Sequence, residues 1–157
     1  MPYRVPSAPH PAGQVETDET DRAIITALCE QGRLSMRALA ERVHVSRANA
    51  YARVARLEQL GVITGYTAVI DPDRVGHGIS AYVYLRIAQQ SWKSVRAQIR
   101  QLPEVEHAAL MSGEDDLALL VRATDAASLR ELVLHRFQAM PEVLSTKTVL
   151  ILDEVRV

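Results

Sequence analysis

The chain has 157 residues and a formal net charge of -1 at pH 7, and 48% of its residues are hydrophobic and 24% charged. These values predict one ordinary globular domain or two small ones, and they exclude collagen, coiled coil and general disorder. No apolar run approaches the ~18 residues that a membrane-spanning helix requires. A single cysteine, Cys29, excludes an internal disulfide and a multi-thiolate metal site. We therefore expect a cytoplasmic protein with no membrane contact, no metal and no cofactor.

Positive charge is concentrated in one third of the chain. Six arginines and only one acid, Glu41, lie in the segment from Arg33 to Arg56, which therefore carries a local charge of about +5. A phosphate-binding surface requires such a concentration of charge. A solvated, arginine-rich helical face would give the same local charge, so charge alone leaves both interpretations open.

The N-terminal residues predict a tail followed by a first helix. Residues 1–15 are Pro-rich and aperiodic, which is typical of a flexible tail. Asp18 begins a pattern in which apolar side chains recur three and four residues apart, the spacing of one helix face. Gly32 is expected to end this helix, because glycine is favoured at helix C-termini.

Two short helices are predicted next. Ser35 and Ser46 are favoured N-cap residues, and each precedes apolar residues at helical spacing. Only His44 and Val45 separate the second helix from the cap of the third, so the two helices must cross steeply. This pattern predicts a winged-type helix-turn-helix domain over residues 16–63.

The hydrophobic period changes from about 3.6 to 2 in the second half of the chain. Residues 64–78 are predicted to form a linker strand and a hinge, and residues 79–157 a ferredoxin-like βαββαβ domain. The predicted fold class is therefore α+β. The elements of the second domain are a strand over 79–87, a helix capped by Ser91, strands over 105–112 and 117–123, a helix capped by Asp125 and a strand over 145–155.

The third predicted helix has an unusual outer face. Ala48, Ala52 and Ala55 lie opposite its core side, between rows of long hydrogen-bond donors. Small side chains allow a helix to enter deep into a DNA major groove ~12 Å wide. Alanines that only favour helix formation and arginines that only add solubility would explain the composition but not this one-sided arrangement.

Candidate DNA contacts follow from the chemistry of these donors. In the major groove arginine pairs well with guanine and asparagine with adenine. Arg47 and Asn49, near the helix N-terminus, are therefore predicted to contact bases, and Arg53 and Arg56 to hold phosphate. The complete predicted DNA-binding set is Ser35, Arg37, Ser46, Arg47, Ala48, Asn49, Tyr51, Arg53 and Arg56.

Four stretches carry a family resemblance: DETDRAIITAL (18–28), GRLSMRALAERVHVSRANAYARVARLEQLGVITGYTAVIDPDRVG (32–76), SGEDDLALLV (112–121) and STKTVLILDEV (145–155). They resemble the Lrp/AsnC family of bacterial and archaeal transcription regulators, also called feast/famine regulators. The similarity covers residues 16–157. It implies a sequence-specific regulator that binds double-stranded DNA and whose assembly or DNA affinity responds to an amino acid or related small metabolite.

The resemblance also implies an assembly and an effector site. It implies homodimers that often assemble further, typically to octamers, with the strand over 65–70 joining the domains and taking part in dimer contacts. The effector would lie between subunits, near the turn 113–116 and the facing segment 149–151, and Asp116 would accept hydrogen bonds from its ammonium group. The effector-binding residues implied in this way are Met111, Gly113, Glu114, Asp115, Asp116, Val149, Leu150 and Ile151.

This chain departs from the family pattern at the turn. Asp115 stands where the family has an aromatic residue, and Leu117 where an aromatic often follows Asp116. Three consecutive acids, starting at Glu114, repel one another, and a cation or an ammonium group would relieve that repulsion. A changed effector, loss of effector binding and a merely solvated turn all remain open.

The predicted sheet itself argues for a partner chain. Val83 and Leu85 lie on one face of its first strand, and Tyr82 and Tyr84 lie on the other. Two helices cover only one face of a four-stranded sheet, so the other apolar face predicts a partner. A two-fold dimer would place two recognition helices in successive major grooves.

Other classes of protein fit less well. The five histidines are scattered without metal-ligand spacing, and no nucleophile motif is present, so we predict that the protein is not an enzyme. An architectural DNA-binding protein without a small-molecule effector is the main alternative. A stand-alone metabolite-binding module is a further one.

Overall fold

The computed structural model describes residues 15–154, which form two compact units, 15–68 and 69–154. The boundary between the units lies inside the predicted linker. Nearly all of the predicted tail, and the last residue of the predicted final strand, lie outside the described residues. None of the helices within 15–154 has the length and apolar character needed to cross a bilayer.

The first unit contains three helices, α1 (Glu19–Glu30), α2 (Met36–Arg42) and α3 (Arg47–Gln59). Asp18 begins α1 through a reciprocal capping box. Its carboxylate accepts the Asp21 N–H at 2.8 Å, and the Asp21 carboxylate accepts the Asp18 N–H at 3.2 Å. The helix ends at the C-cap Gln31, one residue before the predicted Gly32.

The helix-turn-helix is confirmed. His44, with φ of +56°, makes the tight turn between α2 and α3. Ile24 of α1, Leu39 of α2 and Leu57 of α3 are fully buried and share one hydrophobic core. Burial of these side chains fixes α3 against the other two helices and leaves its opposite face exposed.

The predicted linker strand does not form in the described segment that follows α3. The segment 64–70, which the structure describes in full, forms no strand and lies outside the single sheet, and all seven of its residues are exposed. A β-rich sequence becomes a strand only where a second strand completes its hydrogen bonds. The composition of this segment therefore favours a strand, but the segment forms no inter-strand hydrogen-bond ladder within a single copy of the chain.

The second unit has the predicted βαββαβ order. Its elements are β1 (Ile79–Ile87), α4 (Trp92–Ile99), β2 (Val105–Leu110), β3 (Leu117–Ala123), α5 (Ala126–Glu131) and β4 (Val143–Ile151). The strands form one antiparallel sheet in the order β2-β3-β1-β4, as in a ferredoxin-like fold. The predicted fold class is confirmed.

Three details of this unit differ from the prediction. The described Ser91 side chain makes no capping hydrogen bond, because its backbone is already helical, with φ of -85° and ψ of -3°. The helix that Asp125 begins continues from α5 into a π-helical segment, Leu132–Phe137. The last strand begins two residues earlier than predicted and ends at Ile151, where its pairing with β1 stops.

The two faces of the sheet differ in burial, as predicted. Ala81, Val83 and Leu85 of β1 are fully buried on the face that α4 and α5 cover. Tyr82 and Tyr84 lie on the opposite, open face, where Tyr82 is 41% exposed and Tyr84 half-buried. An apolar sheet face therefore remains uncovered in a single copy of the chain.

The α5 cap makes the stability of the second unit sensitive to acid. Asp125 accepts the Ser128 N–H at 2.7 Å, and this hydrogen bond lowers the pKa of Asp125 below its ordinary 3.8. A depressed native pKa stabilises the fold above 3.8, and that contribution is lost as the pH falls through the native pKa. Asp125→Asn keeps a cap without the charge. The free energy of unfolding is measured in urea at pH 7 and at pH 3, and we expect it to fall less between these two values in Asp125→Asn than in the wild type. An equal fall in both proteins would contradict this prediction.

Candidate DNA-binding surface and effector turn

The N-termini of α2 and α3 are held by serine caps. The Ser35 Oγ accepts the Ala38 N–H at 3.2 Å, and the Ser46 Oγ accepts the Asn49 N–H at 3.1 Å. Both caps were predicted, and both are exposed. Each hydroxyl retains its own proton for donation, and each helix N-terminus has a positive dipole end that favours anions.

The first two turns of α3 form an exposed surface of arginine, amide and methyl groups. Arg47, Ala48, Asn49 and Ala52 are exposed, and Tyr51 is 63% exposed. No acidic residue occurs between the start of α3 and Leu57. This surface can therefore approach a polyanion without charge repulsion from an acidic residue of the same two turns.

Arg53 and Arg56 have partners that the sequence analysis did not foresee. The Arg53 Nη1 donates to Asp18 at 2.7 Å and to Asp21 at 2.8 Å, and Arg56 donates to the second Asp21 oxygen. Asp21 is fully buried, so its charge requires these partners. The predicted phosphate-holding guanidinium groups are thus engaged by carboxylates of α1 and its cap.

These contacts also affect proton binding at Asp18. The Asp21 N–H and then the Arg53 guanidinium bind the ionised form of Asp18, and together they hold its pKa below the ordinary value of 3.8. Hydrogen bonds to Asp18 and Asp21 raise the pKa of Arg53. Asp18 and Arg53 therefore stay ionised at neutral pH.

Two further contacts bear on this surface. Arg37 of α2 is highly exposed and pairs with Glu41 at 3.0 Å, an i,i+4 surface pair of the kind that contributes little to stability. Tyr66, after α3, donates to Glu58 at 2.8 Å, and partial desolvation of the phenol together with this contact raises the pKa of Tyr66 to about 12. The residues after the helix are thus held against its C-terminal half.

The predicted effector turn is built around Asp116. Its N–H donates to the Leu85 carbonyl at 3.0 Å, and its carboxylate accepts the Ile87 N–H at 2.8 Å. The Met111 N–H donates to the Asp116 carbonyl at 2.8 Å, which closes the turn between β2 and β3. Gly113, at φ of +153°, occupies a conformation that side-chain-bearing residues rarely adopt.

The repulsion expected within the turn is relieved by a lysine of the same chain. The Lys147 ammonium lies 2.6 Å from the Asp115 carboxylate and 4.8 Å from the centre of the Tyr84 ring. Asp115 raises the pKa of Lys147. Glu114 remains exposed. The Lys147 ammonium thus pairs with Asp115, one of the carboxylates predicted to bind an effector ammonium.

The two groups of predicted effector residues lie apart within one chain. The turn contacts β1 at Leu85 and Ile87, whereas Val149, Leu150 and Ile151 of β4 pair with Tyr82, Ala81 and Ser80. Four residues along a strand correspond to about 13 Å. A single copy does not bring both groups around one small molecule.

A buried arginine on the open sheet face was missed. Arg122 of β3 is only 5% exposed, and it donates to Glu106, Ser80 and Glu154 at 2.6 Å each. These partners come from β2, β1 and the residues after β4, and no local pattern in the sequence links them. Within residues 15–154, no group of three or more His, Cys, Asp or Glu side chains could hold a metal ion.

Comparison with known proteins identifies the family. A model of the Lrp/AsnC ligand binding domain matches residues 80–156, and a model of winged helix-turn-helix DNA-binding domains matches residues 17–64. The HTH-type transcriptional regulator AldR of Mycolicibacterium smegmatis is 33% identical over 156 residues, covering 98% of this chain and 91% of the relative. The chain belongs to the Lrp/AsnC family.

Other members of the Lrp/AsnC family agree in sequence and in fold. The proline dehydrogenase transcriptional activator of Rhodobacter capsulatus is 33% identical over 141 residues, covering 88% of this chain and 92% of the relative. The transcriptional regulator NMB0573 of Neisseria meningitidis, solved in complex with L-methionine, superposes with a TM-score of 0.84 at 29% identity, covering 90% of this chain and 93% of that chain. All three relatives are named as transcriptional regulators and none as an enzyme.

Proposed function

We propose that this Lrp/AsnC protein is a sequence-specific DNA-binding transcriptional regulator that reads the major groove with the first two turns of α3. The observation that carries the proposal is the exposed surface of Arg47, Ala48, Asn49 and Ala52, which no acidic residue of those turns interrupts. Small alanines permit close approach, and Arg47 is suited to the two acceptors of guanine.

Phosphate contacts would surround this reading surface. Ser35, Arg37 and Ser46 lie at the N-terminal ends of α2 and α3, where helix dipoles and hydroxyl groups favour phosphate. Tyr51 and Arg56 are exposed on α3 and can extend the contact along the DNA backbone. Arg53, only 25% exposed in its side chain, would act through its neighbours instead.

The experiment that tests this function is selection of bound sequences from a random pool of duplex DNA. A two-fold dimer with one α3 per subunit is expected to enrich a pseudo-palindrome whose half-sites lie one helical turn, or a multiple of it, apart. Enrichment of no sequence by the full-length chain would contradict sequence-specific binding.

The open sheet face supports a homodimer. Leu120 lies on that face, paired with Tyr82 of β1 and His107 of β2, and a second copy offers the same apolar surface. The exposed segment 64–69 could form a strand ladder in the same assembly. Further assembly to an octamer remains part of the proposal.

We expect Leu120→Glu to dissociate this dimer, because it would bury a carboxylate without a partner in the interface. Sedimentation equilibrium of the full-length variant should give the monomer mass. The matched control is Leu134→Glu, since Leu134 is exposed in the π-helical segment on the other side of the sheet. A variant at Leu120 that remains dimeric would rule out this face.

We further propose that an amino acid or similar metabolite binds at the turn, with the segment 149–151 of a second copy completing the site. The separation of the two groups within one chain supports a site between subunits. The relative solved with L-methionine supports the class of ligand. At the turn, one carboxylate oxygen of Asp116 accepts the Ile87 N–H, and the second oxygen can accept a hydrogen bond from an ammonium group.

Asp116→Asn is expected to weaken amino-acid binding about tenfold, because the ammonium would lose a charge-assisted hydrogen bond. The amide can still accept the Ile87 N–H, so the turn should persist. Asp115→Asn is the matched control, and we expect a smaller effect because Lys147 already pairs with Asp115. Calorimetric titration with each proteinogenic amino acid measures the affinities of the wild type and of both variants. If the wild type binds none of them, the architectural alternative is favoured.

A further inference from the structure

A chain of hydrogen bonds connects a buried carboxylate to an exposed side chain on the DNA-facing surface. Asp21, fully buried, binds the Arg53 Nη1 at 2.8 Å, and the Arg53 Nε donates to the Asn49 Oδ1 at 2.8 Å. Asp18 binds the same Nη1 at 2.7 Å. Asn49 is therefore held by a side chain that two carboxylates fix in place.

This contact determines how the Asn49 amide is oriented. A guanidinium group carries only donors, so the atom of Asn49 that faces Arg53 must be the carbonyl oxygen. The amide NH₂ group is then directed away from Arg53. The positive charge of Arg53 also polarises the amide, which strengthens its N–H groups as donors and weakens the remaining lone pair of its oxygen as an acceptor.

We infer that Arg53 is a positioning residue that makes Asn49 read DNA mainly through its amide NH₂ donors, so that Asn49 selects guanine or thymine over adenine. The usual asparagine–adenine pair requires the amide oxygen to accept from adenine N6 while the NH₂ donates to N7. Guanine presents two acceptors, O6 and N7, and thymine presents O4. Adenine offers the amide donors N7 alone, and its N6 amino group would face them as a second donor.

This inference rests on the proposed function, and it differs from the adenine preference that the sequence suggested for Asn49. The test uses the full-length protein and the sequences that it enriches from a random duplex pool. Asn49→Ala first identifies the base position that Asn49 reads, as the position whose preference is lost. At that position the wild type is expected to enrich guanine or thymine over adenine by about fivefold or more.

Two substitutions then test the role of Arg53. Arg53→Met removes the donor to Asn49 and should shift the preference at that position to adenine. Arg53→Lys keeps a charge for Asp21 but lacks the Nε donor, so it should give the same shift even if the methionine variant folds poorly. Arg42→Met is the matched control, because Arg42 also pairs with a carboxylate of α1, that of Glu30, but makes no hydrogen bond with Asn49 among the described residues, and it should leave the preference unchanged.

Several outcomes would overturn the inference. They are adenine or cytosine preferred by the wild type at the Asn49 position, no position that depends on Asn49, or a preference that is the same in the wild type and in Arg53→Lys. Failure of the wild type to enrich any sequence contradicts the proposed function itself and is thereby distinguishable from these results.

Discussion

Asp21→Ala is expected to lower the free energy of unfolding of the unit 15–68 by about 3 kcal/mol, a change of more than a hundredfold in its folding equilibrium. The substitution removes the shared partner of Arg53 and Arg56 and one half of the α1 capping box. The expected loss lies at the lower end for a buried ion pair, because the side chains of the two arginines are 25% and 46% exposed.

Two optical signals distinguish unfolding of the unit 15–68 from unfolding of the unit 69–154. The only tryptophan, Trp92, lies in the second unit, so its fluorescence follows the unit 69–154, whereas circular dichroism follows the helices of both. In Asp21→Ala an early helical transition should precede the tryptophan transition in urea. Glu19→Ala, which removes an exposed acid in the same helical turn, is the control. Its circular dichroism and fluorescence transitions in urea should match those of the wild type. An Asp21 variant as stable as this control would contradict the prediction.

Arg47→Ala is expected to weaken binding to the selected DNA site by about tenfold to a hundredfold, the value of one bidentate contact to a base. Binding to random duplex DNA should weaken far less, because phosphate contacts by other side chains provide most of it. The ratio of the two affinities, measured by competition, is therefore the informative quantity.

A matched control separates base reading from net charge. Arg130→Ala removes the same charge from an exposed position of α5, in the other unit, and should leave both affinities nearly unchanged. Equal losses for selected and random DNA in Arg47→Ala would show that Arg47 contacts only phosphate.

Local chemistry made the main elements predictable. Ser35, Ser46 and Asp125 were identified as caps from residue type and spacing, and each accepts a backbone N–H as expected. The change of hydrophobic period placed the strands, and the order of elements gave the ferredoxin-like topology that the sheet confirms. These features depend on neighbours within a few residues or on simple periodicity.

The features that sequence analysis missed join distant parts of the chain. Arg53 and Arg56 lie 32 and 35 residues after Asp21, and Lys147 lies 32 residues after Asp115. Nothing in the local sequence indicates which carboxylate a given guanidinium or ammonium group will meet. The DNA-facing role of Arg53 could therefore not be distinguished from a structural one before the helices were packed.

The absent strand over 64–70 has a different cause. Its residues have the β-branched and aromatic character of a strand, and the sequence indicates this correctly. Whether such a segment forms a ladder depends on a neighbouring strand, and in one copy of the chain the described segment lies outside the sheet. The prediction required an assembly that a single sequence does not contain.

The most direct test of the central claim is fluorescence anisotropy with the DNA upstream of the protein's own coding region, over a salt series, with and without a mixture of L-amino acids. We predict specific binding that weakens steeply with salt, because Arg37, Arg47 and other donors displace counterions, and that shifts when amino acids are added. Affinity equal to that for random DNA, with no response to amino acids, would contradict a ligand-responsive, sequence-specific regulator.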